Sequence, residues 1–192
     1  MKLEKEYYLQ ADVVRIAKDL LGKSLYTNFD DVITSGIITE TEAYAGITDK
    51  ASHAYGNRRT QRTEIMYKEG GIAYVYLCYG MYSLFNIVTN VQDVPHAVLI
   101  RGIHPIEGLE IIKERCNQKD LQKYTLDGPG KLTKALGIHY SHTGIDLQGD
   151  KIWVEEGKLQ INENNIIISA RIGIAYAEED AALPYRFKLK NY

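Results

Sequence analysis

The chain has 192 residues, 45% hydrophobic and 25% charged, with a formal net charge of −2. This is the balance of an ordinary globular domain, residues 1–192 forming one unit, and it excludes a membrane span, because no run approaches the ~20 apolar residues a bilayer requires. Two cysteines, Cys78 and Cys116, make no disulfide framework, and the N-terminal MKLEKEYYLQ lacks the apolar core of a secretory signal. A cytoplasmic location is expected, nucleoid-associated in a bacterium.

Near-neutral charge counts against a uniformly basic nucleic-acid binder, but backbone binding depends on where the cations sit. They cluster at Arg58, Arg59, Arg62 and Lys68, and again at Arg186, Lys188 and Lys190, while acids gather at Glu178, Glu179 and Asp180. Charge alone therefore leaves a nucleic-acid surface and a mixed solvated surface both open. Fifteen tyrosines against three phenylalanines and one tryptophan suit a half-wet recognition surface, stacking on nucleobases included.

Residues 11–21 carry Val13, Val14, Ala17, Leu20 and Leu21 at helical spacing and stop at Gly22. Residues 33–44, ITSGIITETEAY, alternate with period two and read as a strand. Residues 45–70, rich in Gly, Asn, Arg and Thr, predict a long loop, a length usually retained for function. Residues 72–79 and 82–90 form two β-rich runs around Gly80-Met81, which predicts a hairpin with a two-residue turn of type II′. A strand over 97–103 follows, then a helix from Pro105 to about Cys116. A short helix is expected from Lys131 to Leu136, capped by Gly137, and short strands near 151–154, 158–162, 165–169 and 185–190. Local strand pairing with few helices predicts an α+β fold on a central antiparallel or mixed sheet, with residues 72–90 as a protruding β-hairpin.

On a strand, residues i, i+2 and i+4 share a face, so Ile38, Glu40, Glu42 and Tyr44 line one side. Paired carboxylates there are candidates for acid–base work; an exposed charged strand face is the plainer alternative. Tyr74 and Tyr76 share one face of the hairpin's first strand, and Tyr79 and Tyr82 flank its turn. An aromatic at such a tip serves either as a wedge for a base stack or as a cross-strand pair. Asn86 interrupts an apolar face and must be a bracket or a ligand contact. Arg101, within AVLIRGI, demands a carboxylate from a neighbouring strand. Cys78 fills a core position. His139 and His142 lack the companions of a metal site, so no metal is expected. Gly130-Lys131 is no phosphate-binding P-loop, yet it sets a lysine at a helix N-terminus, a fair phosphate anchor.

Several strings then read together: Glu40-Thr41-Glu42-Ala43-Tyr44; Asp49 and Ala51 ahead of His53; Thr60 and Arg62; Tyr74-Val75-Tyr76; Tyr79-Gly80-Met81-Tyr82 with Asn86; Val98-Leu99-Ile100-Arg101 and Pro105. With Leu20-Leu21-Gly22-Lys23, Gly128-Pro129-Gly130-Lys131-Leu132 and Ala170-Arg171-Ile172-Gly173, the chain resembles the alkyladenine (3-methyladenine) DNA glycosylase family over nearly its whole length. The resemblance implies a monomeric monofunctional glycosylase of base excision repair without metal or organic cofactor. It acts on double-stranded DNA containing damaged purines. It also implies the roles. Glu42 is the general base for water and Arg101 helps hold that water. Tyr44, His53 and Tyr76 form the pocket for a flipped base, and Asn86 is a gate against the amino group of guanine. Tyr79 intercalates; Met81, Tyr82, Lys131 and Arg171 meet the DNA backbone. Gly102, Thr63, Leu84 and Phe85 depart from the family's usual residues, and the hairpin pair Leu84 and Phe85, with Gly102, bears on lesion preference. A non-catalytic lesion- or RNA-binding module is the alternative, as is a glycosidase using Glu40 and Glu42 on sugars; neither gives both Glu42 and the tyrosine hairpin a role.

Overall fold

The computed structural model describes residues 1–118, 120, 126–157, 159, 161–190 and 192. After a one-turn helix, α1 (Lys5–Tyr8), Asp12 accepts the backbone N–H of Arg15 and so caps α2 (Val13–Asp19). Strands β1 (Ser24–Phe29) and β2 (Val32–Tyr44) follow, the second being 13 residues long. The hairpin is β3 (Ile72–Cys78) and β4 (Tyr82–Thr89), and β5 spans His96–Glu107. Helices α3 (Leu109–Cys116) and α4 (Pro129–Leu136) precede the short strands β6 (Ile152–Glu155), β7 (Ile166–Ser169) and β8 (Arg186–Leu189). The fold is α+β, as the pattern predicts. The expected strand over 158–162 includes residues 158 and 160, which lie outside the described residues.

All described ladders are antiparallel, in the order β3-β4-β5-β2-β1-β6, with β8 joining β2 to β7. Strand β2 is long enough to pair with β1 through its first half and with β8 at Glu40–Glu42, while β5 runs along it from Ser35 to Tyr44. Period-two alternation then sorts the side chains. Ala43, Ala73, Val75, Phe85, Ile87, Val98 and Ile100 join the main core with α2 and α4. The opposite face carries Tyr74, Val88 and Ala97, covered by Ala54, Ile65, Met66 and Tyr67 from residues 45–70. That segment is short 3-10 turns rather than open loop; Thr60 and Thr63 trade hydroxyl and amide hydrogen bonds to hold one of them.

Three local expectations are corrected. Helix formation does not begin at Pro105. The strand continues to Glu107, with Pro105 opposite Gly36 at a register shift, and Gly108 at φ 68° turns the chain into α3. The hairpin turn is centred on Tyr79-Gly80, both left-handed at φ 52° and 69°, with Met81 N–H donating to the Cys78 carbonyl at 3.1 Å. Two positive φ angles match the strand twist as a type I′ turn does. Ile38 does not share a face with Glu40. Register shifts on either side of Glu40 send Ile38 into the main core and leave Glu40 and Glu42 on the other side. Such bulges re-aim side chains beside functional sites. Gly102 belongs to this irregularity, since a Cβ there would meet Thr39 Oγ1 at 2.9 Å.

Candidate active site

Register builds the site. Tyr74, Asn86, Leu99 and Glu42 stand directly opposite one another across β3, β4, β5 and β2, in one row. Tyr44 lies one row to one side, opposite Ala97, and Tyr76 one row to the other, opposite Leu84. Tyr74, Asn86 and Leu99 of that row line a cleft of ≈480 Å³ together with His53, Met66, Ile172, Ile174, Tyr176 and Tyr79. Glu42 is buried behind that lining, hydrogen-bonded to Tyr44 and Ile172, which belong to it. Among the described residues none lining this cleft is a lysine.

The expectation of an exposed charged strand face fails here, because Glu42 is 0% exposed and Glu40 is buried too. Glu42 Oε2 accepts from the Tyr44 hydroxyl at 2.8 Å, and Oε1 from the Ile172 backbone N–H at 2.8 Å. Arg101 Nε is 3.4 Å from Oε1. Burial raises the Glu42 pKa, while Arg101, the Ile172 N–H and the Tyr44 hydroxyl pull against it and Glu40 pushes the same way as burial. The result is a buried carboxyl more basic than usual with its donors already aimed. Burial, then the Glu42 charge, raises the Tyr44 pKa, so that hydroxyl stays a donor. Glu40 is the neighbouring-strand partner that Arg101 demanded: its Oε1 accepts from Arg101 Nε at 2.8 Å and from Arg186 Nε at 2.7 Å.

His53 Nδ1 is 2.7 Å from the Tyr74 hydroxyl, and its ring meets the Tyr76 ring edge-on at 4.7 Å. Burial, then the positive charges of Arg62 and Arg58, lowers its pKa to about 4, so the imidazole is neutral at neutral pH. Arg62 lies 5.0 Å over the Tyr76 ring and donates toward His53 Nε2 at 3.2 Å. The Asn86 amide donates to the Tyr74 and Leu84 carbonyls at 3.1 and 3.3 Å, so it brackets the hairpin and lines the cleft at once. Cys78 is half-buried on the cleft rim rather than in the core.

Outside the cleft the hairpin tip is bare: Tyr79 is 87% exposed, and Met81 and Tyr82 are also exposed. Helix α4 braces it, with Thr133 donating to the Ser83 carbonyl at 2.7 Å and Gly130 so close to Tyr82 that a Cβ would lie 3.0 Å from the ring. Lys131 is exposed beside it. Arg171 is corrected. Its side chain is 0% exposed and ion-paired with the 1%-exposed Asp49, so it offers no charge to a surface phosphate. His139 and His142 cap a 3-10 turn, and among the described residues no group of three or more His, Cys, Asp or Glu side chains is set to hold a metal ion. Among the described residues, too, no helix is long and apolar enough to cross a membrane.

The family model for methylpurine-DNA glycosylase (MPG) matches residues 7–192. The chain belongs to the methylpurine-DNA glycosylase family. Similar proteins are named "Putative 3-methyladenine DNA glycosylase". One from Chlamydia felis is 47% identical over 97% of this chain and 95% of its own length. One from Clostridium acetobutylicum is 47% identical over 100% and 95%, and one from Bacillus cytotoxicus 44% identical over 100% and 97%. As a methylpurine-DNA glycosylase family member the chain is a hydrolase of N-glycosyl bonds with DNA as its substrate. Sequence reasoning gave no role to Asp49, Arg62, Ile172 or Tyr176. Asp49, Arg62 and Ile172 were visible in the family strings. Tyr176 faces the cleft from a short 3-10 segment without apolar periodicity.

Proposed function

We propose that this chain acts as a monomer on alkylated and deaminated purines in duplex DNA (the 3-methyladenine, 7-methylguanine, hypoxanthine and ethenoadenine class). It hydrolyses the N-glycosidic bond with water activated by Glu42. The observation that carries the reading is a buried carboxylate held by the Tyr44 hydroxyl and the Ile172 N–H, two residues that line a tyrosine-rich cleft. A carboxylate has about four lone-pair positions, so these donors leave room for a water proton. A raised pKa makes the group a better base, and its negative charge steadies the oxocarbenium character that develops on the sugar.

The target base cannot be reached inside the stack, and turning it out costs a few kcal/mol. Tyr79, bare at the hairpin tip, fills the vacancy, and Met81, Tyr82 and Lys131 steady the backbone beside it. Tyr44 and Tyr76 sandwich the base. A positively charged alkylpurine stacks well on such rings, and the neutral His53 does not repel it. Asn86 on the floor disfavours the amino group of guanine. Arg101, held by Glu40, steers the attacking water. With no lysine lining the cleft among the described residues, release is hydrolytic and leaves the strand intact.

Glu42→Gln keeps the size and the acceptor toward Ile172 but removes the base. Single-turnover release of hypoxanthine or 3-methyladenine is expected to fall by about 10³-fold or more, with duplex binding retained. Release at the wild-type rate refutes the assignment.

A further inference from the structure

Both uncharged donors to Glu42 lead to one guanidinium. The Arg171 guanidinium lies 4.9 Å from the Tyr44 ring centroid, so it backs the ring whose hydroxyl bonds Glu42. The residue after it, Ile172, supplies the backbone N–H on the other carboxylate oxygen. Arg171 itself is fixed from four directions. Its Nη1 donates to Asp49 Oδ2 at 2.5 Å and to the Ala43 carbonyl at 2.9 Å; its Nη2 donates to Asp49 Oδ1 at 2.9 Å and to the Asp180 carbonyl at 3.2 Å. Asp49 is fixed in turn by the N–H groups of Ala45 and Ala51, at 3.0 Å each.

We infer that the buried Asp49–Arg171 pair is a positioning unit for Glu42, which aligns the Tyr44 hydroxyl and the Ile172 N–H on the carboxylate without touching DNA. This rests on the reading of Glu42 given above and adds two residues to its machinery.

The energetics favour a geometric role over a merely cohesive one. A buried ion pair is often no more stabilising than a hydrophobic filling of the same volume. Among the described residues Arg171 Nε is also buried without a partner, a further cost. What the pair supplies that apolar residues cannot is direction. The bidentate fork fixes the plane of the guanidinium, and with it the ring stacked on that plane and the next peptide in the chain.

Among the described residues the charged and titratable groups around Glu42 are few. They are Glu40 and Tyr44 on β2, Arg101 on β5, Arg186 opposite it on β8, Tyr176, and the pair itself. Replacing the pair by a neutral one leaves the net charge near Glu42 unchanged. The double variant Asp49→Asn/Arg171→Met removes the donor geometry together with the Coulomb attraction between Arg171 and Glu42, and Arg171→Lys, which keeps the charge, isolates the geometric part. Without its aligned donors Glu42 keeps the Arg101 charge but loses the Ile172 and Tyr44 hydrogen bonds that also hold its pKa down, and that pKa rises.

The measurement is a carbon-13 NMR titration of protein labelled at the glutamate carboxyls, with the Glu42 signal assigned from the Glu42→Gln spectrum. The Glu42 pKa is expected to be higher in the double variant by about 1, and in Arg171→Lys, which keeps the charge but not the planar fork, by less. In parallel, hypoxanthine release at saturating enzyme is expected to fall about 10- to 100-fold and its acid limb to move to higher pH, with duplex affinity within about threefold of wild type. An unchanged Glu42 titration in both variants overturns the inference, whatever Glu42 proves to do. So does a variant that loses only duplex affinity, which would return Arg171 to the DNA backbone. Undiminished release by Glu42→Gln instead overturns the proposed base while leaving the titration result standing.

Discussion

His53 shows how one residue's surroundings decide its chemistry. In the unfolded chain an imidazole takes up a proton near 6.5; in this fold, burial and then Arg62 and Arg58 delay that to about 4. The sign follows from linkage. The folded state binds the proton less readily, so its stability is intact above about 6.5 and is lost as pH falls toward 4. The gap corresponds to about 2 kcal/mol once partial exposure is allowed for. His53→Gln removes the proton site and keeps polar atoms toward the Tyr74 hydroxyl. Urea denaturation at pH 7.5 and pH 4.5 should find that this variant loses about 2 kcal/mol less than wild type on acidification. An equal loss in both proteins would mean that His53 is not held neutral. The sequence placed His53 in an unstructured stretch and gave it a pocket role by resemblance only. Its neutrality was illegible, because it depends on Tyr74 and Tyr76 from the hairpin and on an arginine nine residues away.

At the scale of elements, the strands from β2 to β5 were legible, but β1 (Ser24–Phe29) drew no prediction and the irregularities were not legible. Period two found β2, β3 and β4 because each has one apolar and one mixed face. It could not see the register shifts beside Glu40, which turn Ile38 inward and bring Arg101 against Glu40, because a bulge leaves no trace in hydropathy. Nor could it tell a Gly80-Met81 turn from the observed Tyr79-Gly80 turn. The difference has a consequence. Tyr79 holds φ 52°, a conformation that costs a non-glycine residue about 1 kcal/mol. Strain kept at an 87%-exposed ring is hard to explain by stability, since the ring buries almost nothing in the free protein. Tyr79→Gly should therefore raise the midpoint of thermal unfolding by a few degrees and weaken binding to a hypoxanthine duplex about tenfold. Calorimetry and anisotropy titration at fixed salt read the two effects. A variant that is destabilised and binds normally would make the tyrosine a structural part of the turn.

For the whole molecule, a sheet with helices on one face and irregular segments on the other explains why a nearly neutral chain can take a polyanion. With a net charge of −2 no long-range field draws DNA in, so attraction must come from the few cations beside the hairpin and cleft. Part of the arginine cluster is already committed: Arg59 is paired with Glu64 and Asp93. The acidic run Glu178–Asp180 is drawn in toward Lys50, whose ammonium pairs with Glu178 and Glu179 and whose backbone N–H meets Asp180. Lys131 is exposed at the start of α4, on the helix that braces Tyr82 and Ser83 beneath the tip. One phosphate contact contributes about 0.9 to the slope of log affinity against log salt. Lys131→Ala should flatten that slope by about 0.9 for undamaged and lesion duplex alike, and lower affinity severalfold near 0.1 M salt. The rate of base release at saturating enzyme should not change, since Lys131 lies outside the residues that line the cleft. Binding isotherms at four or five salt concentrations decide it. A slope unchanged from wild type removes Lys131 from the interface and leaves the exposed Arg58 and Arg62 as the cations nearest the cleft.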